Sequence, residues 1–325
     1  MMKKWKKFIA ALLVCAEIVM FSGCSAEKIT VGYTIYPMEY VLKRIAGNYI
    51  DIKNLSDGVS PIQVSQIASD YKDSLDKAHL ILKVGDLEPY WTIYEDEIKS
   101  SNAEIIDLSA LAAIYDFKRY TTGEISGSKV VVESDWYEGG LFNMTDTYGK
   151  DMGIWMDPIA LTSMARTVLE WLSAKDPTNA AVYNANFRSL EGDLVRLDSE
   201  YSLLSSMGLK LVTVTPSFGN WQKDYNIGIY PLILSRYGAL PTEDQIQAIE
   251  NRINADDVKY ILKESNMTEA MNALYERVKA DCGLTEVNLS NLSSLTQNEY
   301  NQNKDYLTIM YENLTTLESL SGSGE

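Results

Sequence analysis

The fold turns on residues 151–198, DMGIWMDPIALTSMARTVLEWLSAKDPTNAAVYNANFRSLEGDLVRLD. In its second half Asp176 is suited to capping a helix and Pro177 to the first helical position. Beyond them Phe187, Leu190, Leu194, Leu197, Tyr201 and Leu204 recur at alternating steps of three and four residues. This spacing predicts one helix over residues 177–205 with a single apolar stripe. At 1.5 Å per residue it is roughly 43 Å long, wider than a small domain, so it is expected to link two lobes and to act as a strut that resists their closure. Gly192 is its soft point.

The sequence on either side divides accordingly. Upstream, residues 28–34, 49–55, 79–85 and 104–108 read as strands, separated by helical patterns at 38–46, 64–78 and 88–99. Strands that alternate with helices predict βαβ units and a mostly parallel sheet, with binding crevices beyond the carboxyl ends of the strands. Residues 115–151 are punctuated by glycines and read as a long loop with one short apolar strand at 130–132. Downstream, strands are expected at 210–214, 258–262 and 286–289, with helices at 242–254, 268–280 and 298–320. The fold class is therefore α/β, with two lobes, each a mostly parallel sheet flanked by helices, joined by one long helix.

A chain of 325 residues with 46% apolar content can bury a large core in about two domains. Lys3, Lys4, Lys6 and Lys7 precede an apolar run over residues 8–21, which ends in Ser22, Gly23 and Cys24. That pattern reads as a secretory signal with a lipobox, and the run is too short, and interrupted by Glu17, for a permanent membrane-spanning helix. The expected division is a signal peptide over 1–23, a tether at 24–27 lipidated on Cys24, an N-terminal lobe over 28–176, a linking helix over 177–207, a C-terminal lobe over 208–320 and a flexible tail over 321–325. Localisation is then extracytoplasmic, with the membrane reached through the lipid.

The formal charge of −16 repels nucleic acid and anionic head groups, so neither is an expected partner. With Cys15 in the leader and Cys24 lipidated, Cys282 has no intramolecular disulfide partner. His79 is the single histidine and falls at the start of a strand, a structural position. The sequence has no G-x-S-x-G, P-loop lysine motif or G-x-G-x-x-G turn, so no enzyme is expected.

Several motifs carry a resemblance. They are W-M-D-P at 155–158, D-P-x-N-A-x-x-Y-x-x-N at 176–186, L-x-x-L-D at 194–198, Y-P at 36–37 and KAHLILKVGDLEPYW at 77–91. Over residues 28–320 the chain resembles the zinc- and manganese-binding lipoproteins of metal ABC transporters, the cluster A-I solute-binding proteins. The resemblance implies two lobes about a linking helix, solute binding between them and an ABC permease as partner. It also implies four metal-ligand positions, which here hold Ile62, Gly153, Thr215 and Ser290, with Glu264 where the family often has a glutamate beside the site. Only two of the four carry a donor, a neutral hydroxyl, so no metal set and no cofactor is expected. A glycine at 153 suggests a positive φ that histidine would tolerate poorly.

The leading expectation is a substrate-binding protein with a degenerate metal site and a different solute. Tyr36, Trp155, Phe218 and Trp221 would line an apolar cleft, with Thr215, Asn220 and Ser290 as its polar groups. One alternative is a cation site of carboxylates, from Glu264, Asp157 and Asp151. Another is an adhesin-like or accessory interaction protein on the same scaffold.

Overall fold

The computed structural model describes residues 28–111 and 113–321. The expected signal, Cys24, the tether and residues 322–325 of the tail lie outside the described residues. Strands β1 (Thr30–Tyr33), β2 (Asp51–Asn54), β3 (Leu80–Lys83) and β4 (Glu104–Asp107) form a wholly parallel sheet in the order β2-β1-β3-β4. Helices α1 (Tyr36–Ala46), α2 (Tyr71–Lys77) and α3 (Pro89–Ser100) make its connections. A hairpin follows, β5 (Arg119–Ile125) and β6 (Ser128–Ser134), and then α4 (Pro158–Lys175) and α5 (Ala180–Tyr201).

The second sheet repeats the first. It contains β7 (Lys210–Thr213), α6 (Trp221–Tyr225), β8 (Gly228–Pro231), α7 (Glu243–Ala255), β9 (Tyr260–Lys263), α8 (Glu269–Asp281) and β10 (Thr285–Asn288), with parallel order β10-β9-β7-β8. Helices α9 (Gln297–Asn301) and α10 (Tyr306–Ser321) complete the described chain. The inner strands β1, β3 and β7 are almost wholly buried, as parallel strands covered on both faces must be, which is why their sequences are nearly unbroken apolar runs.

The stripe of α5 is the core of the molecule: Phe187, Leu190, Leu194, Leu197 and Tyr201 are all buried. Its early turns pack on α4 and α1. Its last turn reaches the second sheet, where the Tyr201 ring meets Trp221 and Tyr225 and its hydroxyl donates to the Met310 carbonyl at 2.8 Å. The helix thus touches both lobes.

Several local readings differ from the structure, and β8 and α6 were not among the elements expected of the second lobe. The linking helix starts at Ala180 rather than at 177, because the Asp176 carboxylate accepts from Asn179 N, Asn179 Nδ2 and the Tyr183 hydroxyl and so fixes a separate turn. Its end tightens into a 3-10 turn over Ser202–Ser206. Helix α4 was not anticipated, although Asp157 and Pro158 repeat the Asp-Pro start; the Asp157 carboxylate accepts from Ile159 N at 2.7 Å. The pattern at 64–78 is helical only from Tyr71, since Asp57 gathers the N–H groups of Val59, Ser60 and Gln66 into a loop. Residues 115–151 hold two strands where one was expected, and the last helix is split, with Asn303 at φ 54 between α9 and α10. His79 is exposed at the start of β3, its Nδ1 accepting from Thr30 N.

Gly192 is exposed in the middle of α5, and nothing lies within 4 Å of where a Cβ would be. Gly192→Ala is expected to raise unfolding stability by about 0.5–1 kcal/mol, read as a higher denaturant midpoint with an unchanged slope. A lower midpoint would mean that α5 is not a continuous helix in solution.

Candidate functional site

In open parallel sheets the crevice for a ligand lies beyond the carboxyl ends of the strands, where strand order reverses. Here those points follow β1 and β3 in one lobe and β7 and β9 in the other. Between them the chain brings together the 3-10 turn Ile62–Val64, the segment leading into α4 and the turn after β7. Ile62, Leu87, Phe117, Gly153, Trp155 and Ser217 surround a cavity of only about 10 Å³. That is space for one water at most.

Of the four positions implied by the resemblance, Ile62 and Gly153 face this small cavity, buried and without a side-chain donor. Gly153 has φ −70, so the expected positive φ is not the reason for glycine. The reason is close approach: a Cβ there would lie 2.5 Å from the Ser217 carbonyl oxygen, which cannot retreat without moving backbone. Thr215 is buried, its hydroxyl donating to Glu264 Oε2 at 2.6 Å and lying 2.9 Å from Ser217 Oγ. Ser290 faces elsewhere. Its Oγ accepts from Leu292 N, Asn313 holds its backbone N–H and C=O at 3.0 and 2.8 Å, and it lines a separate cavity of about 390 Å³ beside α10. The four positions therefore do not converge on one point.

The carboxylates do not converge either. Glu264 Oε1 accepts from Val214 N at 2.7 Å and Thr215 N at 2.8 Å, while Oε2 accepts from Thr215 Oγ1 and, at 3.0 Å, from Asn291 Nδ2. Burial raises its pKa, and these hydrogen bonds act against that rise. Asp151 Oδ1 accepts from Gly153 N and Asn220 Nδ2, both at 3.1 Å, and its other oxygen presses on Gly219, where a Cβ would sit 1.8 Å away. Burial pushes Asp151 up to about 7 and Asp157, the cap of α4, up to about 6. Among the described residues no three His, Cys, Asp or Glu side chains are grouped so as to hold a metal ion. The carboxylate site expected from Glu264, Asp157 and Asp151 is thus not assembled, because each is committed to holding a different piece of backbone.

The aromatic residues expected to line a cleft are buried in the junction between the lobes. Trp155 Nε1 donates to the Asn291 carbonyl at 2.8 Å, and the Trp155 carbonyl accepts from the Tyr306 hydroxyl at 2.6 Å. Trp221 Nε1 donates to the Met156 carbonyl at 3.0 Å, and Tyr36 N to the Ser293 carbonyl at 3.1 Å. Phe218 packs edge-on against Trp221 with ring centres 5.0 Å apart. These groups fasten the lobes together. Sequence reasoning did not single out Asp224, which takes the Tyr115 hydroxyl at 2.8 Å and is pushed up to about 7, first by burial and then by Asp157. Nor did it single out Glu88, buried after β3 and likewise raised to about 7 by burial. No motif marks Asp224, and the 77–91 run that contains Glu88 gave no sign of its burial; that follows from the fold around it.

These raised groups set a pH dependence. A carboxyl whose folded pKa lies above its unfolded value keeps its proton longer when folded, so its contribution is complete below about pH 4 and is lost as pH rises to about 7. Equilibrium unfolding is expected to show greater stability at pH 5 than at pH 8, and Asp151→Asn should shrink that difference. A profile that is flat or rises over this range in the unmodified chain would show that these carboxyls are ionised when folded.

The family model described as "ZnuA: Zinc-uptake complex component A periplasmic" matches residues 31–320. The zinc-binding protein AdcA of Streptococcus pyogenes serotype M6 is 23% identical over 320 residues, covering 98% of this chain and 60% of AdcA. The chain thus spans about 60% of the length of that relative. The metal ABC transporter substrate-binding lipoprotein SloC of Streptococcus mutans is 22% identical over 284 residues, 81% of this chain and 83% of SloC. In three dimensions the periplasmic zinc binding protein TroA of Treponema pallidum superposes with a TM-score of 0.69 at 17% identity, covering 90% of this chain and 99% of TroA. Since the family match runs through both sheets and the helix between them, the chain belongs to the ZnuA family of zinc-uptake component A proteins.

Proposed function

We propose that this chain is the substrate-binding component of an ABC transporter, held outside the cell membrane by lipid on Cys24, that does not carry zinc at the family position. The names of its relatives, a zinc-binding protein and a metal ABC transporter substrate-binding lipoprotein, support the transport reading and an ABC permease as partner. No helix of the described residues is long and apolar enough to cross a membrane, which fits attachment through the tether. The proposed lobes are residues 28–176 and 208–320, on either side of a linker at 177–207.

The observation that carries the departure from zinc is the contact of the Ser217 carbonyl with Gly153. It leaves no room for a ligand side chain at 153. The donors that remain, on Thr215 and Ser290, are neutral hydroxyls already engaged in hydrogen bonds. Zinc sites use imidazole, thiolate or carboxylate. A small solute or another cation reaches the junction, on this reading, only when the lobes part.

A second reading follows from the sealing of that junction, with its cavity of about 10 Å³. It is an adhesin-like or accessory protein that keeps the scaffold without a cargo. Ligand-dependent thermal stabilisation separates the two, because only a binder is stabilised by mass action.

Titration with zinc against a competing chelator tests the main reading. The unmodified chain is expected to take up no stoichiometric zinc, since two neutral hydroxyls supply little of the 10–16 kcal/mol, roughly, of a full structural site. Ile62→His, Gly153→His, Thr215→His and Ser290→Asp together are expected to give no tight site unless Ser217 is displaced and residue 290 turns away from its own cavity. Gly153→Ala alone should cost about 1–3 kcal/mol through that overlap, measured by denaturant unfolding. Tight stoichiometric zinc in the unmodified chain would overturn the proposal.

A further inference from the structure

The hairpin β5–β6 takes no part in either four-stranded sheet. Ser126 and Gly127, at φ 53 and 79, form its two-residue turn, as primed hairpin turns require. Such a turn makes Ile125–Ser128 a hydrogen-bonded pair, and pairs then alternate along the ladder. Arg119, Thr121 and Gly123 therefore bond inward to Ser134, Val132 and Val130. Lys129, Val131 and Glu133 point their backbone N–H and C=O groups away from β5. The alternation is visible on the other strand, where Tyr120, out of phase with those bonded pairs, turns its N–H outward to Gln222 Oε1.

The two edges differ in consequence. That of β5 is held against the body of the protein by Gln222, whose Nε2 also donates to the Lys118 carbonyl, and by the Thr122 hydroxyl on Asn226 Oδ1. Strand β6 pairs with nothing but β5 among the described residues, and it is exposed along its length, with Val131 at 55% and Val132 at 42%. Natural sheets guard such edges with prolines, bulges or inward charges, because an open edge is a template for another strand. This one has a run of three valines instead.

The sequence of β6 indicates which strand would fit. It reads Ser128-Lys129-Val130-Val131-Val132-Glu133-Ser134, which is complementary to itself when reversed. We infer that β6 is a docking edge for a second copy of this chain, the two β6 strands pairing antiparallel about a two-fold axis through Val131. In that register Val131 faces Val131, Lys129 faces Glu133 twice, Val130 faces Val132 twice and the serines face each other. The outward-pointing backbone groups of Lys129, Val131 and Glu133 fall into the bonded phase, so one four-stranded sheet, β5-β6-β6-β5, runs across the pair. Opposite charges directly across antiparallel strands stabilise and like charges destabilise, and an axis that puts a surface on its own copy closes the assembly at two. With so short a contact the dimer is weak and reversible, of the transient class.

Sedimentation velocity of the full chain from micromolar to millimolar concentration, at low salt, tests the inference. The unmodified chain is expected to pass reversibly from monomer to dimer. Lys129→Glu alone and Glu133→Lys alone should each remain monomeric, because each places like charges opposite one another twice. An equimolar mixture of the two should form a heterodimer, and the double swap should dimerise as the unmodified chain does. Both side chains are exposed, and Glu133 stands opposite the uncharged Tyr120 on β5, so Glu133→Lys should melt with the unmodified chain; Lys129→Glu also meets Glu124 across the hairpin, and its melt reports that local cost. The inference is overturned if the unmodified chain stays monomeric at the highest concentration. It is equally overturned if both single variants dimerise as before, or if the mixture stays monomeric.

Discussion

Four hydrogen bonds converge on the carboxylate of Glu264, and the crevice of the C-terminal sheet is built outward from them. Removing a carboxylate from water costs several kcal/mol, and only a full set of donors offsets it. Two of the donors are backbone N–H groups at the exit of β7, a third is the Thr215 hydroxyl and the fourth is the Asn291 amide just beyond β10. One side chain at the end of β9 therefore fixes the exits of both neighbouring strands. Asn291 continues the chain of constraint, because its carbonyl receives the Trp155 indole, and the Trp155 carbonyl in turn receives the Tyr306 hydroxyl. The way the lobes sit against each other depends on this sequence of bonds.

That arrangement holds the scaffold together and, of the four positions that the resemblance implies, calls on Thr215 alone. The frame rests on apolar burial along α5 and on the hydrogen bonds of Trp155, Trp221 and Tyr36 across the junction, none of which requires a metal-binding side chain. Two glycines let the backbone close tightly at the junction. Gly153 receives the Ser217 carbonyl, and Gly219 receives the Asp151 carboxylate, which Asn220 and the Gly153 N–H hold from the other side. Adding a Cβ at either place costs backbone movement rather than a rotamer change.

Much of the fold was legible because it is local. The apolar period of α5 and the patterns that mark each strand and helix are set by residues close together in sequence. The errors also lie where a side chain overrode a pattern: Asp57 gathered a loop out of an apparent helix, and Asp176 took up the turn that was assigned to α5. Only the valines at 130–132 of the hairpin were read as a strand, because its seven-residue strands lie mostly open to solvent and carry no single buried face to announce them.

The sequence by itself determined which side chains stand at the positions implied by the resemblance, and so that imidazole is absent from all four of them. Only the tertiary structure decided that Thr215 and Glu264 are spent on each other, that Ser290 faces a different cavity, and that the cleft aromatics are its seal. The physical reason is range. Thr215 meets Glu264 across 49 residues and Trp155 meets Asn291 across 136, and such contacts are set by how two sheets come to rest on one helix. Local periodicity carries the helix and the strands, but the choice between an open site and a packed one is made by groups that meet only after both lobes have formed.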